Sequence, residues 1–247
     1  MMWQVRAGVA VAFLGMWSAL PGCGSEVERP QSDAKAPLPV QKVPAGRNVT
    51  VEIEGKRRRV VIEAEVCLRE GALEQLLCRR RTKEHEAILA ADVDARHIHM
   101  ALEGAGAKAG RPVRYHPKYE PATGTRIKVT LQYEHQGKLL TVPAQQWIQN
   151  VRTKKNLEHD WVFAGSHLVP DPSDSNKPPF YLANDGDIIC VSNFPSAMLD
   201  LPIRSPQDNA DLAFVAHTER IPPEGTRVRV ILEPIAGEEP PVQPGKP

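Results

Sequence analysis

The sequence has almost no excess of charge of either sign. Its 247 residues include 31 Lys and Arg against 30 Asp and Glu, which leaves a formal net charge of +1. A protein that grips the phosphates of nucleic acid usually carries a distinctly basic surface. We therefore expect no nucleic-acid partner.

Signatures of common catalytic and cofactor sites are also missing. The sequence contains no G-x-G-x-x-G, no P-loop and no G-x-S-x-G pattern. Cysteine is scarce: three residues follow Cys23, and no C-x-x-C pair occurs. Three thiols are too few for a four-thiolate zinc or iron–sulfur site. These absences predict a chain without a cofactor, and they favour binding over catalysis.

The longest apolar run lies at the N-terminus and is too short for an ordinary membrane span. Residues 7–20 follow Arg6, and this length is typical of the apolar region of an export signal. The sequence Leu-Pro-Gly-Cys at 20–23 resembles a bacterial lipobox, which predicts lipidation of Cys23 after removal of residues 1–22. Gly24, rather than Asp, favours the outer membrane over the inner. The alternative is an ordinary secretory signal that leaves Cys23 free.

Composition divides the remainder into three parts. Residues 23–47 are rich in proline and charge and have few large apolar side chains, which predicts a flexible tether. Residues 237–247 have the same composition and predict a disordered tail. Between them, residues 48–236 are long enough for a globular domain. We expect a domain held to the outer membrane, on its periplasmic or its surface face, by a lipid anchor.

The cysteines of this domain are Cys67, Cys78 and Cys190. Export permits a disulfide, and proximity in sequence favours a bridge between Cys67 and Cys78. Three buried free thiols are the alternative, because reduced cysteine behaves as a small apolar residue.

Hydrophobic periodicity predicts a β-rich α+β fold of mostly antiparallel strands with a few short helices. Strands are expected at 48–54, 59–68, 73–78, 87–93, 160–169 and 180–193. Asp94 is a favourable N-cap for a helix over 95–105, in which Ile98 and Leu102 share one face. Shorter helices are expected within 144–151 and 206–213.

Two segments of the second half resemble each other. Residues 121–131 (PATGTRIKVTL) and 222–232 (PPEGTRVRVIL) are identical at six of eleven positions. Each combines a Pro/Gly turn with an alternating strand. Because the similarity extends no further, we interpret it as shared turn chemistry, with internal duplication as the alternative. The first of these strands is expected to form a hairpin through residues 135–137 with residues 138–142.

The segment "TKEHEAILAADVDARHIHMAL" (82–102) concentrates residues that bind metals or transfer protons. It is not the H-E-x-x-H metalloprotease motif, because residue 89 is Leu. His97 and His99 lie two apart on the expected helix and so point in different directions. A site built from His85, His99 and a carboxylate, Glu74 or Glu86, is the remaining metal hypothesis.

Several short motifs, in order, resemble the bacterial YdjY-domain proteins. They are Glu-Gly-Ala-Leu-Glu (70–74), Lys-Glu-His-Glu (83–86), Ile-His (98–99), Trp-Val-Phe-Ala-Gly-Ser (161–166) and Asn-Asp-Gly-Asp-Ile (184–188). The resemblance implies an exported, often lipid-anchored protein whose biochemical role is not established. Some members carry a ferredoxin-like label, but this chain lacks the cysteine spacing for an iron–sulfur cluster. The resemblance points to one polar group: Glu74, His85, Glu86 and His99.

Two functional hypotheses follow. The first is a non-catalytic domain, tethered to the membrane, that binds a protein or polymer of the cell envelope. The alternative is a metal-binding protein or hydrolase-type enzyme that uses His85, Glu86 and His99. It requires these side chains to converge on one point.

Overall fold

A computed structural model describes residues 39–170, 174, 176–205 and 213–235. The expected signal peptide, Cys23 and the tail from 237 lie outside these residues, as does nearly all of the helix expected at 206–213. No helix in the described ranges has both the length and the apolar character needed to cross a bilayer.

Strands dominate the described part of the chain. They are β1 Gln41–Gly46, β2 Val49–Glu54, β3 Arg57–Val66, β4 Gln75–Arg79, β5 Ala87–Ala91, β6 Ala109–Arg111, β7 Thr123–Gly124, β8 Arg126–His135, β9 Lys138–Pro143, β10 Ile148–Asn150, β11 Trp161–Phe163, β12 Leu168–Val169, β13 Phe180–Tyr181, β14 Ile189–Cys190, β15 Leu199–Asp200, β16 Phe214–Ala216 and β17 Arg227–Pro234. The helix α1 is Ala95–Gly104, and short 3-10 helices are Ala144–Trp147, Leu182–Asp185 and Thr218–Arg220.

Eight strands close into a barrel in the order β3–β17–β8–β11–β15–β14–β4–β5, and β5 pairs back with β3. Closure leaves no open edge within this ring. Most neighbours are antiparallel, whereas β4–β5 and β14–β15 are parallel. The strands β3 and β8 are ten residues long, and each pairs with two other strands along the same edge. Strand β3 pairs with β2 and β5 in this way, and β8 pairs with β9 and β11.

A β-rich, mainly antiparallel fold is therefore confirmed, but an α+β fold with several short helices is not. The described chain has one α-helix. The helix expected within 144–151 is a single 3-10 turn, Ala144–Trp147, followed at once by β10. Ile148 is β-branched and begins that strand, a context that favours extended backbone.

The expected tether ends earlier than predicted. Residues 41–46 form β1, which pairs with β2 along Gln41–Ile53 to Gly46–Val49. Most of β1 is exposed, and Lys42 Nζ lies 3.7 Å from a carboxylate oxygen of Glu52. The strand is held by backbone pairing more than by burial, and so it carries no hydrophobic pattern that would reveal it.

The helix α1 confirms its sequence signals. The Asp94 side chain accepts a hydrogen bond from the Arg96 N–H at 2.9 Å, which satisfies a free donor of the first turn. Ile98 and Leu102 are buried, together with Ala95 and Ala101. This face packs against β1, β2 and β3.

Candidate functional site

The parallel pair β4 and β5 brings two glutamates together. Glu74 lies just before β4 and Glu86 just before β5, and the register pairs Gln75 with Ala87. The N–H of Glu74 donates to the Glu86 carbonyl at 3.0 Å. Two strands that start side by side in the same direction place the side chains that precede them side by side as well.

Lys83, in the turn between these strands, lies at the centre of the group. Its Nζ is 3.0 Å from Asp187 Oδ1, and 3.8 Å from oxygens of both Glu74 and Glu86. It also lies 4.3 Å from the centre of the Phe194 ring, which is cation–π geometry. Glu74, Lys83, Glu86 and Asp187 are called the Lys83 cluster below.

The cluster contains a carboxyl group that exchanges its proton near neutral pH. Burial, and then a hydrogen bond with the Glu86 carboxyl, raise the pKa of Glu74 to about 7. Two carboxyl groups can hydrogen-bond to each other only when one is protonated. Burial alone would lower the pKa of Lys83, but Asp187 and Glu74 outweigh it, so that its pKa is raised and the ammonium stays charged. The pair can therefore take up and release a proton near pH 7.

Polar partners fix Asp187 in place. It accepts hydrogen bonds from Gln75 Nε2, at 3.1 Å, and from the Ser196 hydroxyl. Gln75 is fully buried, and its Oε1 has no hydrogen-bond partner. This leaves one buried acceptor at the cluster that a donor could satisfy.

A second buried carboxyl lies nearby. Asp200 accepts hydrogen bonds from Asn193 Nδ2 and from the Leu201 N–H at 3.0 and 2.7 Å. Burial nevertheless raises its pKa to about 8, with Asp187 adding to the rise. Asn193 is itself tied to Tyr119 and Ser205.

The structure joins only some of the residues singled out in the sequence. Glu74 and Glu86 are in the Lys83 cluster. His85 is 77% exposed at its side chain, with Nε2 3.7 Å from a Glu86 oxygen. His99 lies elsewhere: its Nδ1 is 2.8 Å from the Tyr181 hydroxyl. No hydrogen bond or ion pair in the described chain links His99 to the other three.

This separation leaves the hypothesis based on His85, Glu86 and His99 without its required convergence. The described residues contain no group of three or more His, Cys, Asp or Glu placed to hold a metal ion. The ring of His99 packs edge-on against Phe163, with centroids 4.8 Å apart, so that its surroundings are largely aromatic.

Lys83, Asp187 and Ser196 were not singled out in the sequence. Two of them nevertheless lie within motifs of the family resemblance: Lys83 in the motif at 83–86, and Asp187 in the motif at 184–188. Gly186, with φ of +125°, shows why that motif matters: a Cβ there would lie 2.7 Å from Thr82 Oγ1 and 2.9 Å from Lys83 Cγ. The close approach of residues 186–187 to the β4–β5 turn needs this glycine.

A cleft opens beside the N-terminal end of α1. Its volume is about 610 Å³, within the range of small-ligand sites. Its cationic side chains are Arg79, Arg96 and Lys177, against one carboxylate, Asp94. Its other lining residues are Val169, Pro170, Pro178, Pro179, Phe180, Tyr181 and Asn184. These residues together are called the α1 cleft below.

The hairpin β12–β13 forms one wall of the α1 cleft. It pairs Leu168 with Tyr181 and Val169 with Phe180, and no other strand of the described chain joins it. Leu168 is 62% exposed and Phe180 40% exposed, both high for large apolar side chains. The wall therefore combines unpaired backbone with exposed apolar surface.

Comparison with known families supports the resemblance seen in the motifs. The family model for the YdjY domain matches residues 51–233, which include the Lys83 cluster and all of the barrel strands except the last residue of β17. The chain belongs to the YdjY-domain family. Searches of curated proteins and of solved structures gave no match.

Proposed function

We propose that this protein is a lipid-anchored protein of the outer membrane, and that its YdjY domain binds an acidic, partly apolar segment of another envelope protein. The α1 cleft carries this proposal. Three cationic side chains against one carboxylate favour an acidic ligand. The exposed Phe180, which lines the cleft, favours apolar side chains within that ligand.

An extended segment fits the wall of the cleft better than a compact ligand. A short hairpin with unpaired edges can accept a further strand through its backbone N–H and C=O groups. Side chains of such a strand alternate, so that some reach Phe180 while others face the cations. We infer that recognition combines backbone pairing at β12–β13 with charge pairing at Arg79.

Binding can be measured with a fluorescent ten-residue peptide rich in Glu and Phe. We expect saturable binding that weakens as salt rises, because charge contributes to it. Arg79→Glu should weaken binding about tenfold, or ~1.4 kcal/mol. Lys138→Glu is the matched control: it makes the same charge change at an exposed position in the β8–β9 turn region and should bind like the parent chain. Equal binding by both variants would refute the proposal.

The lipid anchor has its own test. Full-length chain expressed in bacteria that are fed labelled palmitate should incorporate the label and fractionate with outer membranes. Cys23→Ser should lose both properties. Label retained in Cys23→Ser would refute the anchor while leaving the cleft proposal untouched.

Proton transfer by the Lys83 cluster is a second candidate function. The pKa of about 7 at Glu74, beside a charged lysine, is the observation that favours it. In this candidate function, Lys83 and Glu74 have the roles that the sequence analysis assigned to His85 and His99. Hydrolysis of ester and glycoside test substrates should then depend on pH near 7 and be abolished by Glu74→Gln. Activity that survives Glu74→Gln would rule this candidate out.

A further inference from the structure

The disulfide expected from the sequence is not formed. Strand β5 lies between the two cysteines: the Cys67 N–H donates to Ile88 of β5 on one side, whereas Cys78 of β4 pairs with β5 on the other. Cys67, Cys78 and Cys190 are all free thiols. The structure places a different pair of side chains in reach of a covalent link.

That pair is the amine of Lys83 and the carboxyl of Asp187. The Lys83 Nζ lies 3.0 Å from Asp187 Oδ1, so that the carboxyl carbon is at most about 4.2 Å from the nitrogen. Only 4% of the Asp187 side chain and 23% of the Lys83 side chain are exposed. The ring of Phe194, with its centre 4.3 Å from Nζ, is an apolar neighbour of the amine. An amine and a carboxyl held in contact away from water are arranged for condensation to an amide.

The remaining groups of the site match the needs of this reaction. Glu74 lies 3.8 Å from the same Nζ, and its raised pKa of about 7 lets its carboxyl both give and take a proton. The Ser196 hydroxyl and Gln75 Nε2 donate to the two oxygens of Asp187. Donors in these positions stabilise the negative charge that develops on oxygen when the carboxyl carbon is attacked.

We propose that the side chains of Lys83 and Asp187 join in an intramolecular amide bond. The ammonium first passes one proton to the Asp187 carboxylate, which leaves a neutral amine and a neutral acid. The nitrogen electron pair then forms a bond to the Asp187 carbon. Glu74 protonates the hydroxyl, which leaves as water when its bond to carbon breaks, and Glu74 recovers a proton from the nitrogen.

This sequence of steps is balanced without a cofactor. An ammonium and a carboxylate become one amide and one water, nothing is oxidised or reduced, and Glu74 ends as it began. The first proton transfer is uphill: burial opposes the charge of Lys83, but the neighbouring carboxylates keep its pKa raised. The reaction is therefore slow, but each chain needs only a single turnover. Contact between the two groups favours the product, because the effective concentration of the amine at the carboxyl is very high.

The position of the bond in the barrel explains its use. Asp187 comes just before β14, which pairs with β4 at two positions and with β15 at one. The barrel closes through these short strands, so that few backbone pairs hold this part of the ring. A link from the β4–β5 turn to Asp187 fixes β14 in place. It also closes a loop of roughly 100 residues, which restricts the unfolded chain strongly.

The mass of the denatured full chain tests the proposal. All chains carry Cys23→Ser, so that no lipid alters the mass, and each is compared with the mass calculated from its own N-terminus. We expect a deficit of about 18 Da, because amide formation releases one water. Lys83→Arg and Glu74→Gln should each restore the full mass. Lys56→Arg is the matched control at an exposed lysine of the β2–β3 turn and should keep the deficit. Mass separates the amide from a simple ion pair, because both would couple the two residues in stability.

Trypsin locates the bond in the parent chain, whether or not a variant folds. Trypsin does not cut after an acylated lysine, so we expect residues 82–96 to be recovered joined to residues 156–204. A full mass in the parent chain, or an equal deficit in Lys83→Arg, would overturn the proposal. So would a deficit confined to the peptide 156–204, because the Asp185–Gly186 step can lose water by itself as a cyclic imide.

Discussion

Leu131 of β8 lies directly opposite Val230 of β17, and both are fully buried. The two residues belong to the two similar segments, 121–131 and 222–232, which prove to be neighbouring antiparallel strands. Their turns differ: a Cβ at Gly124 would lie 2.0 Å from the Phe163 carbonyl oxygen, whereas Gly225 has open space around it. Both glycines nevertheless have a positive φ, +138° at Gly124 and +80° at Gly225. Both strands need alternating β-branched and aliphatic side chains because each lies between two others in the barrel.

Truncation of this pair should reveal a shared packing site. We expect Leu131→Ala to lower the free energy of unfolding by about 2–4 kcal/mol and Val230→Ala by about 2 kcal/mol. The double variant should lose less than the sum, because the two cavities merge. Chemical denaturation of the four chains measures this. Lys128→Ala, at an exposed position of β8, is the control and should change stability by less than about 0.5 kcal/mol. Strict additivity would contradict the expectation.

The N-cap of α1 predicts a stability change that depends on pH. Asp94 accepts hydrogen bonds from the Arg96 N–H and from Asn184 Nδ2 at 2.9 and 3.0 Å. The hydrogen bond from the Arg96 guanidinium, assisted by these two contacts, holds the pKa of Asp94 well below its ordinary value. A depressed carboxyl pKa adds stability above the unfolded value, and that stability is lost as pH falls through the folded value.

We therefore expect Asp94→Ala to cost about 1–2 kcal/mol at pH 7 and progressively less below pH 4. Asp94→Asn keeps the capping oxygen without the charge, and so should cost less at pH 7. Urea unfolding from pH 2.5 to pH 7 gives both values. A loss that stays constant over this range would show that the charge of Asp94 contributes nothing.

Local patterns revealed those parts of the structure that depend on neighbours in sequence. The alternation in β2 and β3 and the cap at Asp94 predicted two strands and α1, because hydrophobic period and capping are properties of a few consecutive residues. The closure of β5 onto β3 had no such signal. It depends on Val66 meeting Leu89 rather than on either strand alone.

The residues of the candidate site also divide into those with a local sequence signal and those that only long-range pairing brings together. Glu74 and Glu86 were identified because they lie on motifs of one short segment. Asp187 is distant in sequence, and only the pairing of β14 with β4 brings it to Lys83. His99 was grouped with them because it is near in sequence, but the helix carries its ring to Tyr181. Proximity in sequence identified half of the site and misassigned a histidine.

The ion pair at the centre of the Lys83 cluster should be coupled in energy. Asp187 is nearly fully buried, and Lys83 is its closest cation, 3.0 Å away. Lys83→Met leaves that carboxylate without its cation and should cost about 2–4 kcal/mol. The double variant Lys83→Met with Asp187→Asn should recover part of this loss. A double-mutant cycle by chemical denaturation measures the coupling, and Lys138→Met is the control at an exposed lysine. Absence of coupling would mean that the buried carboxylate is neutralised by another group.

The buried carboxyls predict that the domain is less stable in mild base than in mild acid. Asp200, with its pKa raised from 3.8 to about 8, keeps a proton that the unfolded chain has lost throughout that window. Because the folded state then binds more protons, stability falls as pH rises from about 4 to about 8 and levels off above. Glu74 contributes in the same direction up to about pH 7.

Asp200→Asn isolates the contribution of this one carboxyl. Asparagine keeps the oxygen that accepts from Asn193 and Leu201 but cannot ionise. We expect the native chain to lose on the order of 3 kcal/mol between pH 5 and pH 8.5, and the variant to lose clearly less. The two stability curves should cross, with the native chain the more stable near pH 5 and the variant the more stable at pH 8.5. Parallel curves from urea unfolding would show that Asp200 ionises in the folded protein as it does in the unfolded chain. The raised pKa would then be wrong, and Asp200 would be charged within its hydrogen bonds at neutral pH.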